Sequence, residues 1–164
     1  MEQLMQTYGR KVLHLVYLFV KDQSLAEDVT QDVFIKVYLN LERFRGESDI
    51  KTWIYRIAVN EAKKQLRSWV FRNIFASEKV HLLADTHSKV TSEKKLDHLD
   101  REEFTRYILQ LPVSYRQMIA LHYYQDLSIE EIAEILRISN GNVRNKLYLA
   151  RKKLKRILEK EGYE

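Results

Sequence analysis

The sequence predicts an all-α protein: two small helical domains joined by a flexible linker, the second containing a helix-turn-helix. Three observations predict it. One proline and four glycines in 164 residues leave long stretches without a breaker. Apolar residues recur at three-to-four spacing, the period of a helix with one buried face. Residues 76–100 differ from both flanks, with Ser77, Asp85, Thr86, Ser88, Thr91, Ser92 and three histidines, and little periodicity before Leu96 and Leu99. The expected boundaries are therefore a domain over 1–75, a linker over 76–100 and a second domain over 101–164. Each domain has room for only a modest core.

In the first domain, a helix near 8–20 sets Tyr8, Val12, Leu15, Val16 and Phe19 on one face. The next is expected to open at Ser24-Leu-Ala-Glu27, read as a capping box in which serine and glutamate satisfy each other's free amides, and to bury Val29, Val33 and Val37. The loop Phe44-Arg-Gly-Glu-Ser-Asp49 follows, and its Gly46 permits a turn that other residues resist. A third helix, about 50–68, carries Trp53, Arg56, Asn60, Lys63, Lys64 and Arg67 near one stripe. Such a stripe suits a single nucleic-acid strand: cations track phosphates, the ring stacks on or wedges between bases, and the amide bonds a base edge. Periodicity alone favours the plainer reading, a core tryptophan beside a solvated basic face.

The second domain starts with Phe104, Tyr107, Ile108 and Leu111, and Pro112 breaks that helix before another begins near Ser114. Ser128-Ile-Glu-Glu131 is a further capping box, opening a short helix with Ile129, Ile132, Ala133 and Leu136 on one face. Ala133 is small enough for another helix to cross closely. After the turn Arg137-Ile138-Ser139, a longer helix turns Val143, Leu147, Ala150 and Leu154 inward, which is helix-turn-helix spacing. Placed in a major groove, its early turns offer Asn142, Arg144, Asn145 and Tyr148 to base edges, while Arg151, Lys152 and Lys155 hold phosphates. A helical hairpin with a solvated basic face is the bland alternative.

Charge sharpens this reading. The net charge of +5 decides little, but residues 144–156 carry seven cations and no acid, while Asp126, Glu130, Glu131 and Glu134 lie just upstream. One helix is expected to face a phosphate backbone and its neighbour to turn away from it. Absence of cysteine excludes disulfides and thiolate metal sites. His14, His81, His87, His98 and His122 lack metal-ligand spacing, and no glycine loop of the Walker type is present. Asp28 and Asp32, one turn apart, are better read as structural or docking residues than as a metal site. No enzyme, metal or cofactor is expected, and with no leader or long apolar run the protein is expected in the cytoplasm without membrane insertion.

These motifs occur in an order that resembles the extracytoplasmic-function class of bacterial sigma factors, across nearly the whole chain. Leu25-Ala-Glu-Asp-Val-Thr-Gln-Asp-Val-Phe34 looks like the family's helix that docks on the largest subunit of core RNA polymerase. By that resemblance Asp28, Gln31 and Asp32 make the polar contacts. The loop with Phe44, Arg45 and Gly46, followed by Thr52-Trp-Ile-Tyr-Arg-Ile-Ala-Val-Asn60, looks like the part that recognises the promoter's -10 element. There the loop forms a pocket for a flipped-out base near Asn60, with Trp53, Arg56, Lys63 and Lys64 alongside. Leu111-Pro112 with Arg116, Leu127-Ser128 and Gly141-Asn-Val143 are similar to the domain that binds the -35 element as duplex, where Arg144, Asn145 and Tyr148 read it.

The resemblance implies an alternative sigma factor whose partners are core RNA polymerase, promoter DNA and a membrane-linked anti-sigma factor. Strand opening would draw on binding energy, with no nucleotide hydrolysis. Four departures stand out: Asn140 where proline is frequent, Leu149 where a basic residue is frequent, no additional leading helix, and an apolar run Trp69-Val-Phe-Arg-Asn-Ile-Phe75 at the domain edge. That run is expected either to pack on a partner or to fold onto its own domain. The competing function is a stand-alone helix-turn-helix regulator, for which no dimerisation helix of heptad spacing is evident.

Overall fold

The first three helices pack on one another in a computed structural model that describes residues 1–76 and 101–163, the side chains of 73–76 excepted. They are α1 (Glu2–Val20), α2 (Gln23–Asn40) and α3 (Ile50–Ala76), with a 3-10 turn at Leu41–Arg43 before the loop. Val12, Leu15, Val16 and Phe19 of α1 meet Val29, Val33 and Val37 of α2 and Ile54, Tyr55, Ala58, Val59 and Ala62 of α3, all buried. Each large side chain removed from water there contributes about 1.5–3 kcal/mol, which holds three otherwise marginal helices together.

Helix ends differ from the sequence expectation in three places. α1 begins at Glu2, six residues earlier than the apolar stripe alone indicates. It ends where Lys21 adopts a left-handed conformation, φ 59°, and donates its N–H to the Tyr17 carbonyl at 2.8 Å. The expected Ser24/Glu27 box does not form. Asp22 caps α2 instead, its carboxylate accepting from the Leu25 N–H at 2.7 Å, and Glu27 accepts from the Gln23 side chain. Aspartate caps as well as serine, and it stands where the chain is already extended after Lys21. α3 runs eight residues beyond the expected 68, so the apolar run from Trp69 lies on its last turns. The linker's expected flexibility lies outside the described residues.

The second unit comprises α4 (Arg101–Leu109), α5 (Val113–Ile119), a wider π turn at Ala120–Tyr124, α6 (Ile129–Leu136) and α7 (Asn140–Lys160). Pro112 stands at the N-cap of α5, where its missing N–H costs nothing. The box at the start of α6 is complete: Ser128 Oγ accepts from the Glu131 N–H at 3.1 Å, and Glu131 Oε2 accepts from the Ser128 N–H at 2.7 Å. Ile132, Ala133 and Ile135 pack against Val143, Leu147, Ala150 and Leu154. Gly162, φ 88°, turns the tail so that Tyr163 is buried and its hydroxyl reaches Glu103 at 2.8 Å.

The two units pack on each other, α1 against α5 and the π turn, and α3 against α6. Buried polar side chains cross this boundary. Arg116 of α5 donates from Nε to the Leu18 carbonyl, from Nη2 to Phe19 at 2.9 Å, and from Nη1 to Leu111 at 2.8 Å and Leu109 at 3.3 Å. Its charge therefore sits on the negative end of the α1 dipole, and burial lowers its pKa to about 10. Gln125 donates to the Lys11 carbonyl at 3.2 Å and accepts from the Tyr55 hydroxyl at 2.7 Å. Burial, with the nearby Tyr8 and Asp126 adding to it, raises the Tyr55 phenol well above its usual range, so it stays a donor.

Candidate nucleic-acid interface

Three surfaces carry the residues singled out from the sequence. On α2, the buried Val29–Val33–Val37 stripe forces Asp28, Gln31 and Asp32 outward, and all three are exposed. Their face continues into Ile35, Tyr38 and Leu39, each more than half exposed. Sequence reasoning missed these apolar neighbours. The signal was present, because Asp28, Asp32, Ile35 and Leu39 are spaced four, three and four apart, one helical stripe off the core.

The second surface joins the 44–49 loop to α3. Gly46 takes φ +69° with open space around its α-carbon, so backbone conformation and not crowding requires glycine there. This turn brings the Phe44 ring to 5.0 Å from Trp53, tilted by 39°. The pair stands between two clefts. One is lined by Arg43, Arg45, Glu47, Ser48 and Arg56, the other by Lys36, Asn40, Ile57, Asn60 and Glu61. Trp53 is thus half-buried, both core and cleft wall, while Asn60 and Lys64 are exposed. Glu61, nearly buried, is compensated by an ion pair with Lys36.

Two cations of this stripe are not free. Arg56 is paired through Nη2 with Glu134 of α6, which itself lines the first cleft, and its buried Nε has no partner. Lys63 is half-buried, and desolvation, then Lys146 and Arg67, lower its pKa. The acidic helix, expected to turn away from a phosphate backbone, turns its acids onto the other unit, Glu131 lying 3.4 Å from Lys51 and 3.5 Å from the Thr52 hydroxyl.

The third surface is α7. Ser139 caps it, its hydroxyl accepting from the Asn142 N–H at 3.2 Å, and α7 starts at Asn140. Asn142, Arg144, Asn145, Tyr148 and Lys152 are exposed along its outer face. Arg144 has only a loose 4.0 Å contact with Glu130, and Lys155 a 3.7 Å contact with Glu159. Arg151 instead donates to the Tyr123 hydroxyl at 3.1 Å, a contact that orients its guanidinium. The sequence carried no period that ties Tyr123 to α7, nor any that ties Gln125 and Arg116 to α1. Among the described residues no helix is long and apolar enough to cross a membrane.

Comparison with known proteins agrees with this geometry. The family model for sigma-70 region 2 matches residues 4–69, and that for sigma-70 region 4 matches residues 101–154. The RNA polymerase sigma-H factor of Pseudomonas aeruginosa is 33% identical over 163 residues, covering 95% of this chain and 84% of that protein. The ECF RNA polymerase sigma-E factor of Haemophilus influenzae is 35% identical over 164 residues, covering 95% and 86%. In fold, the sigma factor RpoE of Bartonella quintana, solved in complex with the anti-sigma factor NepR, superposes with a TM-score of 0.78 at 23% identity over 96% of each chain. The chain belongs to the sigma-70 family of RNA polymerase sigma factors, in its extracytoplasmic-function class.

Proposed function

We propose that the two units divide promoter recognition: the first docks on core RNA polymerase and holds a melted -10 strand, and the second fixes register on the -35 duplex. The observation that carries this reading is the pairing of an aromatic-walled double cleft on α3 with an exposed amide-and-arginine face on α7. In the first unit, Asp28, Gln31 and Asp32 with Ile35 and Leu39 form a mixed polar and apolar face of the sort protein interfaces use. Phe44, Arg45, Gly46 and Trp53 shape space for an unstacked base, Asn60 offers its amide to that base's edge, and Arg56, Lys63 and Lys64 follow the phosphates.

In the second unit, Arg144 suits a bidentate contact to guanine and Asn142 or Asn145 to adenine, while Tyr148 adds apolar contact and Arg151 and Lys152 hold the backbone. Strand opening is driven by capture of bases in the cleft. Trp69, Val70 and Phe71, all about half exposed or more, extend the first unit's surface and are assigned to an anti-sigma partner tethered to a membrane. The protein itself works in the cytoplasm.

The test is run-off transcription with core polymerase over a promoter library, comparing wild type with Asn60→Ala and Arg144→Ala. Transcripts that depend on the protein and fade in both variants support the division. Failure to stimulate polymerase, together with tight binding of the lone protein to duplex, would instead support a stand-alone regulator.

A further inference from the structure

We propose that Asn140-Gly141, at the start of α7, is a self-modification site: the Asn140 side-chain amide is converted to a carboxylate that captures Arg144 and weakens duplex reading. The inference rests on the reading of α7 as the helix that reads duplex DNA.

The site is set by its place in the chain and at the helix end. Asn140 is followed by glycine, which is true of none of the other asparagines. Gly141 has no side chain to hinder approach to its nitrogen, and a β-carbon placed there would meet only the Ser139 hydroxyl, at 4.0 Å. Its N–H is an orphan donor of the helix start. Ser139 Oγ accepts from the Asn142 N–H and the Ser139 carbonyl from the Val143 N–H, so Gly141 is left without an acceptor among the described residues. Asn140 is exposed, and its amide makes no hydrogen bond among the described residues, which frees it to rotate onto that nitrogen.

Neighbouring asparagines lack these conditions. Asn142 is equally exposed, but the next residue is β-branched Val143, whose N–H is held by the Ser139 carbonyl at 3.1 Å. Asn145 precedes Lys146 inside the helix, and the Asn40 amide is tied to the Lys36 carbonyl at 2.8 Å.

The reaction needs only water. The Gly141 nitrogen gives its proton to base and attacks the side-chain carbonyl carbon of Asn140. A C–N bond forms, the bond to the amide nitrogen breaks, and ammonia leaves behind a cyclic imide. Water opens the imide at either carbonyl, giving aspartate or its β-linked isomer, each with one new carboxylate and no change of oxidation state. The positive end of α7 favours that charge. It stands four residues before Arg144, the spacing and order in which an acid best pairs with a cation on the same helix face. Glu130 already lies 4.0 Å from that guanidinium, so a guanine edge then has to displace acids from two helices.

The experiment ages the full chain in mildly alkaline buffer and has two readouts. Peptide mass spectrometry locates each new carboxylate, and affinity is measured for a DNA duplex selected from a random pool by fresh wild type. Asn140 is expected to convert ahead of Asn142 and Asn145, a lead that Gly141→Ala abolishes. Asn140→Asp, one aged product made directly, is expected to lower duplex affinity roughly three- to tenfold, and to change it little once Arg144→Ala is present. Conversion of Asn140 no faster than that of Asn142 would overturn the site. Asn140→Asp binding as tightly as wild type, while Arg144→Ala weakens the duplex, would overturn the consequence and leave α7 as the reader. Equal losses with and without Arg144 would overturn capture of its guanidinium. Enrichment of no duplex by fresh wild type, or full affinity in Arg144→Ala, would overturn the consequence together with the reading of α7.

Discussion

α3 and α7 each carry a stripe of cations and amides, yet the protein treats them differently. On α7 Asn142, Arg144, Asn145 and Tyr148 stand exposed, and Glu130 touches Arg144 only loosely at 4.0 Å. On α3 the aromatic ring is half core, Lys63 is half-buried beside other cations, and Arg56 already has a carboxylate partner from the opposite unit. Formal charge on a helix therefore does not measure how much of it a polyanion meets. What decides is which neighbour the fold brings to each cation, and here α6 packs against α7 while its carboxylates pair with Lys51 and Arg56 of α3.

The comparison can be broken or sharpened by substitution. The largest effect is expected at the joint on which the difference depends. Arg116→Ala leaves buried carbonyls of both units without a donor and should cost roughly 2–4 kcal/mol in urea unfolding. Lys152→Ala, on the solvated face, should leave stability within about 0.5 kcal/mol; similar midpoints for both would remove Arg116 as the organiser of the joint. In duplex binding, Arg144→Ala should lose about 1–3 kcal/mol of discrimination at one base pair, and an equal loss on every sequence would demote Arg144 to a phosphate contact.

Acid should weaken the same joint. His14 lies against Tyr124, ring centroids 4.7 Å apart, and burial followed by the Arg101 charge lowers its pKa below the ordinary 6.5. The unfolded chain then takes up the proton first, so stability is complete above about 6.5 and declines as pH falls towards the folded value. Urea midpoints at pH about 7.5 and 5.5 should separate more for wild type than for His14→Phe; equal separations would exclude the imidazole as cause. A smaller effect is expected for Lys152→Ala on duplex affinity, a reduction of the salt slope by about one phosphate with no change of preferred sequence. Smallest of all, Asn140→Pro should stabilise by about 0.4–1 kcal/mol, because Ser139 already holds an extended ψ of 155° and the first helical N–H needs no partner. A lowered melting temperature would show that Asn140 is required there.

Helices, their buried stripes and the helix-turn-helix were legible because periodicity and the Ser128/Glu131 box are local signals. The exposure of Asn142, Arg144, Asn145 and Tyr148 was legible for the same reason, these being the residues left outside when Val143, Leu147 and Ala150 turn inward. The cap of α2 was misplaced by two residues because Asp22 and Ser24 offer competing oxygens, and only the Lys21 turn decides between them. The contacts that Arg116, Gln125 and Glu134 make across the boundary escaped the sequence, although Arg116 and Glu134 themselves stood out in it. Each acts on a residue seventy or more positions away, and a lone polar side chain carries no period that reports what lies across a domain boundary.

The most direct test of the divided recognition is a cycle between protein and promoter. Transcription with core polymerase would be measured for wild type, Asn60→Ala and Arg144→Ala on a cognate promoter and on versions altered at either the -10 or the -35 element. The account predicts that altering the -35 element abolishes the penalty of Arg144→Ala but preserves that of Asn60→Ala, and that altering the -10 element does the reverse. Penalties that persist unchanged on both altered promoters would contradict it.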